Sequence, residues 1–290
     1  MDFQNAEIIT AMVTPFDEEG KLDFVRLQNL IEYLLKTGTQ GILVSGTTGE
    51  GPTLSETEKL ALIKKTVEIV AGRVPIIAGT GTNNTQTTIE FTKQVAEIGG
   101  VAAALVVVPY YNKPDQRGMI AHFEAVAAAS KLPLFIYNIP GRTGVTMNVE
   151  TIAYLSKNKN IIGLKDCTGN VNLAKIVEQV ADGFLVYTGE DADALAAKTI
   201  GAKGVISVAS HLYGEKLKQM YQAVNEGKFS TAAELMRFLT PKMQAMFSAP
   251  SPSPTKAALN RIGIRVGGCR LPILEYPTEK LNELYQKLDI

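Results

Sequence analysis

Histidine occurs only twice in the 290-residue sequence, at His122 and His211, and cysteine only twice, at Cys167 and Cys269. Three-histidine zinc sites and HExxH sites are therefore excluded, and two cysteines make neither a disulfide framework nor a zinc-ligand spacing. His122 falls in a helical pattern and reads as structural. His211 follows a strand and reads as a loop or cap residue. Net charge is missing as well: Lys+Arg and Asp+Glu number 29 each. No basic block is present, so nothing favours nucleic acid or an anionic membrane as partner. No apolar run approaches the ~18 residues of a membrane-spanning helix. The opening Met1-Asp2-Phe3-Gln4 lacks the charged and apolar regions of a signal peptide. The simplest expectation is a cytoplasmic, metal-free protein.

What the chain does have is apolar residues, 46% of the total, enough for a sizeable core. Short apolar runs alternate with helical patterns. Strands are expected at Ile8–Val13, Gly41–Val44, Val74–Ala78, Ala103–Val108, Leu134–Ile136, the run ending at Lys165, Phe184–Tyr187 and Gly204–Val208. Between them, Phe24–Leu35, a capped helix to about Val70 opened by Ser55-Glu56-Thr57-Glu58, Thr85–Ile98 and Gln116–Ala129 have helical spacing, and Asn148 is expected to cap another helix. Eight strand-helix units predict a (β/α)8 barrel, typically about 250 residues long. A doubly wound open sheet is the alternative, but no GxGxxG follows an early strand. After about Gly227 the rhythm gives way to helical patterns, Phe229–Phe247, Lys256–Ile262 and Thr278–Leu288, broken by Pro250-Ser-Pro-Ser-Pro254. A barrel over 1–226 and a helical appendage over 227–290 are the expected division.

Barrel enzymes carry their active sites at the carboxyl ends of the strands. Those ends here are Thr14, Thr47-Thr48, Asn83, Tyr110-Tyr111, Tyr137, Lys165, Glu190 and Ser207. The set is rich in hydroxyls and holds one nucleophile. Lys165 ends a buried strand, where desolvation disfavours the ammonium and a neutral amine attacks carbonyls to give a Schiff base. The competing reading is that Lys165 snorkels out or pairs with Asp166. Tyr137 starts protonated at neutral pH and donates to a departing hydroxyl. Gly46-Thr47-Thr48-Gly49-Glu50 offers hydroxyls and turn N–H groups to a carboxylate, or is an ordinary Thr-rich turn. Arg142 suits bidentate carboxylate recognition, or a surface salt bridge. Glu190, Asp191 and Asp193 disfavour a phosphorylated substrate at the loop after the seventh strand.

GTTGE at 46–50, PYYNKP at 109–114, YNIPGRTG at 137–144, GLKD at 163–166 and GVISVAS at 204–210 together resemble the dihydrodipicolinate synthase family, also called 4-hydroxy-tetrahydrodipicolinate synthases. The likeness runs in order along nearly the whole chain. It implies a lyase of lysine and diaminopimelate biosynthesis with no separate cofactor, which condenses pyruvate with aspartate 4-semialdehyde through a covalent imine. By the resemblance Lys165 forms that imine and Tyr137 is its acid/base. Thr47 and Tyr111 complete a proton relay, Tyr111 coming from a neighbouring subunit of a homotetramer built as a dimer of dimers. Thr48 holds the pyruvate carboxylate, Arg142 receives that of the semialdehyde, and Gly189 and Ile206 line the site through backbone.

Two departures accompany the likeness. The family's Asn-Pro-x-Pro is Ser251-Pro252-Ser253-Pro254 here, and its Glu followed by a small residue is Asp166-Cys167. The nearest alternatives are N-acetylneuraminate lyase and 2-keto-3-deoxy acid aldolases, which share the lysine and tyrosine; Thr47 and Arg142 favour the synthase. A catalytically dead barrel with a binding role is disfavoured by the presence of Lys165, Tyr137, Thr47 and Tyr111. Lysine-inhibited relatives hold their effector with a histidine at the position of Glu56 and a carboxylate at that of Thr87. With Gly51, Pro52, Glu56, Lys59 and Thr87 at the effector positions, and Asn83 and Tyr110 remaining, insensitivity to lysine is expected. Loss of a charge-assisted partner worth about 1.5–3 kcal/mol is large beside the ~4 kcal/mol of a millimolar site.

Overall fold

The computed structural model describes residues 3–290. Met1 and Asp2, on which the signal-peptide reading partly rests, lie outside the described residues. The elements, in order, are β1 (Ile8–Ala11), α1 (Phe24–Lys36), β2 (Gly41–Val44), α2 (Glu56–Val70), β3 (Ile76–Gly79), α3 (Thr85–Ile98), β4 (Ala103–Val107), α4 (Gln116–Ala129), β5 (Leu134–Asn138), α5 (Pro140–Thr143), α6 (Val149–Leu155), β6 (Ile161–Asp166), α7 (Asn170–Gln179), β7 (Leu185–Thr188), α8 (Ala194–Ile200), β8 (Gly204–Ser207), α9 (Ser210–Asn225), α10 (Phe229–Ala245), α11 (Ser253–Arg261) and α12 (Leu281–Leu288). The strands follow one another in sequence order around a closed barrel, and the strand pairs from β3 to β8 are all parallel. This is the expected (β/α)8 architecture with helices appended after β8.

Helix starts follow side-chain chemistry. Asp23 accepts hydrogen bonds from the Val25 and Arg26 N–H groups, Asn84 from Thr87 and Asp115 from Gly118. Ser55 and Glu58 form the reciprocal capping box that the sequence predicts. Each such cap contributes about 1 kcal/mol. Asn148 does stand before α6, but its side chain makes no capping bond; its backbone N–H donates to Gln116 Oε1 instead. Helix α11 starts at Ser253, earlier than expected from Pro250–Pro254, because proline is tolerated in a first helical turn, where its missing N–H has no intrahelical acceptor.

Contacts group the chain into two compact units, one of the residues up to Glu7 with Pro75–Ile206, the other of Ile8–Val74 with Ser207–Ile290. In the first, Val106, Phe123, Ile136, Ile152, Leu164 and Ile176 belong to one buried cluster between strands and helices. Phe135 stacks edge-on against Phe3 at 5.2 Å and tilts against Tyr187 at 6.0 Å. Gly163 lies opposite Phe135, where any Cβ would overlap the Phe135 ring. Tyr187 is fully buried and its hydroxyl donates to Ala6 O at 2.6 Å.

In the second unit β1 pairs with β2. Buried Thr10 shares hydroxyl hydrogen bonds with Thr39 at 2.7 Å and Ser210 at 2.8 Å, joining β1 to the start of α9. Gly38, after α1, packs so closely on Gly214 of α9 that a Cβ would come within 2.6 Å of the Gly214 carbonyl carbon. The last helix is tied down by Tyr213, whose hydroxyl donates to Leu288 O at 2.6 Å, and by a 2.6 Å ion pair between Lys242 and Asp289.

Candidate active site

Strand β5 runs two residues beyond its expected end, and this extension brings the first site residues together. Pairing with β6 sets Tyr137 opposite Lys165 and Asn138 opposite Asp166. Both Tyr137 and Lys165 are buried. The Lys165 Nζ sits 4.4 Å from the Tyr137 ring centroid, and the hydroxyl and the amine share a hydrogen bond. Lys165 neither snorkels out nor pairs with its neighbour, since the Asp166 carboxylate has other partners.

Burial opposes the ammonium form of Lys165, while charge on Tyr137 and Cys167, the hydrogen bond with Tyr137 and the Asp191 carboxylate favour it, and the net direction is upward. That corrects the expectation drawn from desolvation alone. The upward pull requires Tyr137 and Cys167 as anions, yet burial raises the pKa of both groups. Near neutral pH both are therefore protonated, and burial is then opposed by the hydrogen bond with Tyr137 and by the Asp191 charge. Such a pair combines a nucleophilic nitrogen with a phenol able to lend and recover a proton, the requirements for building and breaking an imine.

Asp166 is buried and anchors the strand end. Its Oδ2 accepts from the Thr168 N–H at 2.9 Å and hydroxyl at 2.5 Å, and its Oδ1 from the Asn138 amide at 3.0 Å. Burial pushes this carboxyl upward against those hydrogen bonds. Asn138 also donates to Met147 O at 3.1 Å and accepts from Met147 N–H at 3.0 Å. One side chain thus clips the end of the segment that carries Arg142 to the strand beside Lys165. Arg142 itself lies on the exposed turn α5, and its charge acts on Tyr137. Gly189 follows β7, and its N–H donates to Asp166 O at 2.7 Å. A Cβ there would overlap Cys167 Sγ and come within 2.7 Å of Lys165 Cε. The Cys167 thiol hydrogen-bonds Glu190, whose carboxyl burial pushes upward. Ile206 is fully buried on β8.

Tyr111 is different in kind. It is 87% exposed and holds a left-handed φ of 72°, a conformation that non-glycine residues adopt at a cost. Neighbouring Asn112 donates to Asn83 O at 2.9 Å, fixing the loop while the phenol projects outward. In the other unit Thr47 is half-buried and Thr48 buried in the turn after β2, which closes through Glu50 N–H to Thr47 O and Gly51 N–H to Gly46 O, both 3.0 Å.

Both histidines are structural. His122 is buried on α4 with Nδ1 2.9 Å from the Thr85 hydroxyl, and burial holds its pKa near 4. His211, expected as a loop or cap residue, lies in the first turn of α9, two residues after its N-cap Ala209. Its Nε2 accepts from Val13 N–H at 3.2 Å while Nδ1 donates to Val208 O at 2.8 Å, and burial again holds it near 4. Among the described residues no group of His, Cys, Asp or Glu is placed to hold a metal ion, and no helix is long and apolar enough to cross a membrane. Nothing in the sequence places Cys167 against Gly189, and the sequence signal for Asn138 and Glu50 is their position inside the YNIPGRTG and GTTGE motifs.

The chain is similar to known proteins along its whole length. The model of the dihydrodipicolinate synthetase family matches residues 4–290. The chain is 62% identical over 290 residues, all of both chains, to the 4-hydroxy-tetrahydrodipicolinate synthase of Ligilactobacillus salivarius. It superposes with TM-score 0.97 and 44% identity on the crystal structure of a dihydrodipicolinate synthase from Bacillus anthracis, covering 100% of this chain and 98% of that one. A dihydrodipicolinate synthase from Cyanidioschyzon merolae with lysine bound gives TM-score 0.95 and 39% identity, over 98% of this chain and 97% of the other.

Proposed function

The chain belongs to the dihydrodipicolinate synthetase family, and we propose that it condenses pyruvate with L-aspartate 4-semialdehyde to give 4-hydroxy-tetrahydrodipicolinate, the step that commits carbon to diaminopimelate and lysine. The observation that carries the reading is the buried Lys165 amine hydrogen-bonded to Tyr137. Lys165 Nζ attacks the pyruvate keto carbon, and the keto oxygen leaves as water after protonation through Tyr137. The resulting protonated imine is an electron sink, so the methyl group gives up a proton and becomes an enamine carbon nucleophile. That carbon adds to the aldehyde of the second substrate, whose amine then displaces Lys165 and restores the free enzyme. No other cofactor enters. Thr47 and Tyr111 serve as proton carriers for Tyr137, Thr48 holds the pyruvate carboxylate, Arg142 the semialdehyde carboxylate, and Gly189 and Ile206 shape the wall. The reaction takes place in the cytoplasm. A coupled assay offering aspartate semialdehyde or N-acetylmannosamine to the pyruvate-loaded enzyme tests the proposal. Turnover with the first alone is expected, and preference for the second would assign the chain to the sialic acid lyases instead.

The exposure and left-handed backbone of Tyr111 support its service in a neighbour's site, and the assembly proposed is a tetramer of tight dimers. Tyr111→Phe should lower kcat by about a hundredfold to ten-thousandfold, the scale of a general acid–base contribution, with little change in the KM of pyruvate. Sedimentation of a fully active monomer would remove the shared-site idea.

Feedback by lysine is expected to be absent. Glu56 is exposed at the start of α2, and Lys59 is half-buried on the same helix with its pKa lowered by burial against the attraction of Glu56. Thr87 is exposed on α3 and offers a hydroxyl where inhibited relatives have a carboxylate. Initial rates at subsaturating pyruvate should stay flat across a lysine titration; submillimolar partial inhibition with one lysine bound per subunit would contradict this.

A further inference from the structure

We propose that Glu50 and Lys256 are a positioning pair through which the C-terminal segment holds the Gly46–Gly51 turn in the conformation that presents Thr47 and Thr48 to a substrate carboxylate. The inference rests on the proposed role of those threonines. It starts from an oddity of backbone. Glu50 has a left-handed φ of 54°, and Ser45, on the other side of the same turn, a φ of 56°. Neither residue type favours that region, and such conformations persist where the surroundings over-determine them.

For Glu50 the surroundings are unusually specific. Its side chain is 2% exposed, as is that of Lys256. Lys256 Nζ lies 2.6 Å from Glu50 Oε1, donates to Gly268 O at 2.6 Å, and sits 4.2 Å from the centroid of the Phe16 ring. The other carboxylate oxygen, Oε2, accepts the backbone N–H of Arg270 at 2.7 Å. Arg270 in turn reaches Gly20 O at 2.8 Å and Thr53 O at 3.1 Å, and forks onto Glu58 at 2.6 and 3.1 Å. Glu58 is the capping-box residue of α2, so the same network fixes the turn at its exit. The turn has no slack of its own. Thr14 donates its hydroxyl to Gly49 O at 2.5 Å, and a Cβ on Gly51 would come within 2.6 Å of Ser45 O.

Stability alone does not explain the choice. An isosteric apolar pair often serves a core as well as a buried ion pair, and burial lowers the pKa of Lys256 despite Glu50. What two opposed charges add is a fixed distance, and the segment held at that distance carries Thr47 and Thr48.

The test uses the full-length enzyme with Lys256→Met, Glu50→Gln and the double variant. Lys256→Met leaves a buried carboxylate unpaired, so Tm should fall and the KM of pyruvate rise by about tenfold or more, as expected for misplaced binding groups. In the double variant no charge is stranded. Tm should return to near the wild-type value while the KM of pyruvate stays raised and trapping of the imine by borohydride stays slow. Recovery of KM together with Tm would reduce the pair to a structural role and overturn the proposal, as would an unchanged KM in a folded Lys256→Met. Thr48→Val separates the two layers of the argument. If it leaves the KM of pyruvate unchanged, the carboxylate assignment fails; if it raises KM and the double variant does not, the positioning pair fails.

Discussion

Replacing Lys165 with arginine should leave a folded protein that pyruvate and borohydride no longer label. Arginine keeps the positive charge and much of the stem, but its guanidinium does not deprotonate near neutrality and forms no imine. Intact mass after reduction should show the reduced pyruvyl adduct on the wild type and none on the variant. Turnover should fall by at least about three orders of magnitude, in keeping with the loss of a nucleophile from a set that acts as a unit. A trapped adduct at an equivalent stoichiometry in Lys165→Arg would place the covalent chemistry elsewhere. The pH dependence follows from the same environment. Imine formation needs the free amine, and the surroundings of Lys165 hold its pKa above the ordinary lysine value. The initial trapping rate should therefore rise with pH across the neutral range.

Gly189→Ala is expected to be nearly as damaging, although it adds a single methyl. The backbone is no obstacle, since Gly189 is not among the positive-φ glycines. The added Cβ overlaps Cys167 Sγ and stands 2.7 Å from Lys165 Cε, with Lys165 Cγ at 3.2 Å. Lysine is flexible in general, but this one is buried and tied to Tyr137, so its end moves off its bonding geometry if it yields. A displacement of about 1 Å at a reacting group costs on the order of a hundredfold in rate. Removing one obstruction should separate the two contacts. Gly189→Ala with Cys167→Ala should regain thermal stability, since the sulfur is gone, while borohydride trapping stays slow, since the lysine contact remains. Full activity in Gly189→Ala would mean that Lys165 has room that this geometry denies it.

These expectations show where the sequence is transparent and where it is not. The barrel was legible because each strand is a short apolar run and each helix keeps its period; the Ser55–Glu58 cap was visible from spacing alone. Lys165 and Tyr137 were legible as strand-end residues, and the motifs they sit in tied them to a family. Their adjacency is expected from the family resemblance, and its physical basis is the extension of β5 through Asn138, which sets Tyr137 opposite Lys165. Of the two expectations for His211, loop or cap, the loop fails because α9 starts only three residues after β8 ends. The buried partners of Glu50 were hidden for another reason. Lys256 follows Pro-Ser-Pro-Ser-Pro-Thr, a run that reads as exposed punctuation, and charges are expected in water. Only tertiary structure reveals that Lys256 has a carboxylate and an aromatic face waiting for it.

The unit made of Ile8–Val74 and Ser207–Ile290 has a history as well as a shape. Its first portion leaves the ribosome long before its second. At translation speeds of about 5–20 residues per second, the intervening stretch takes on the order of ten seconds to synthesise. For that interval Thr10 lacks Ser210, Glu50 lacks Lys256 and Arg270, and the Gly38 turn lacks the glycine surface of α9. The nascent segment carrying β1, α1, β2 and α2 must wait without these partners. It is this portion of the chain, rather than the continuous run from Pro75 to Ile206, that a cotranslational chaperone has most reason to hold.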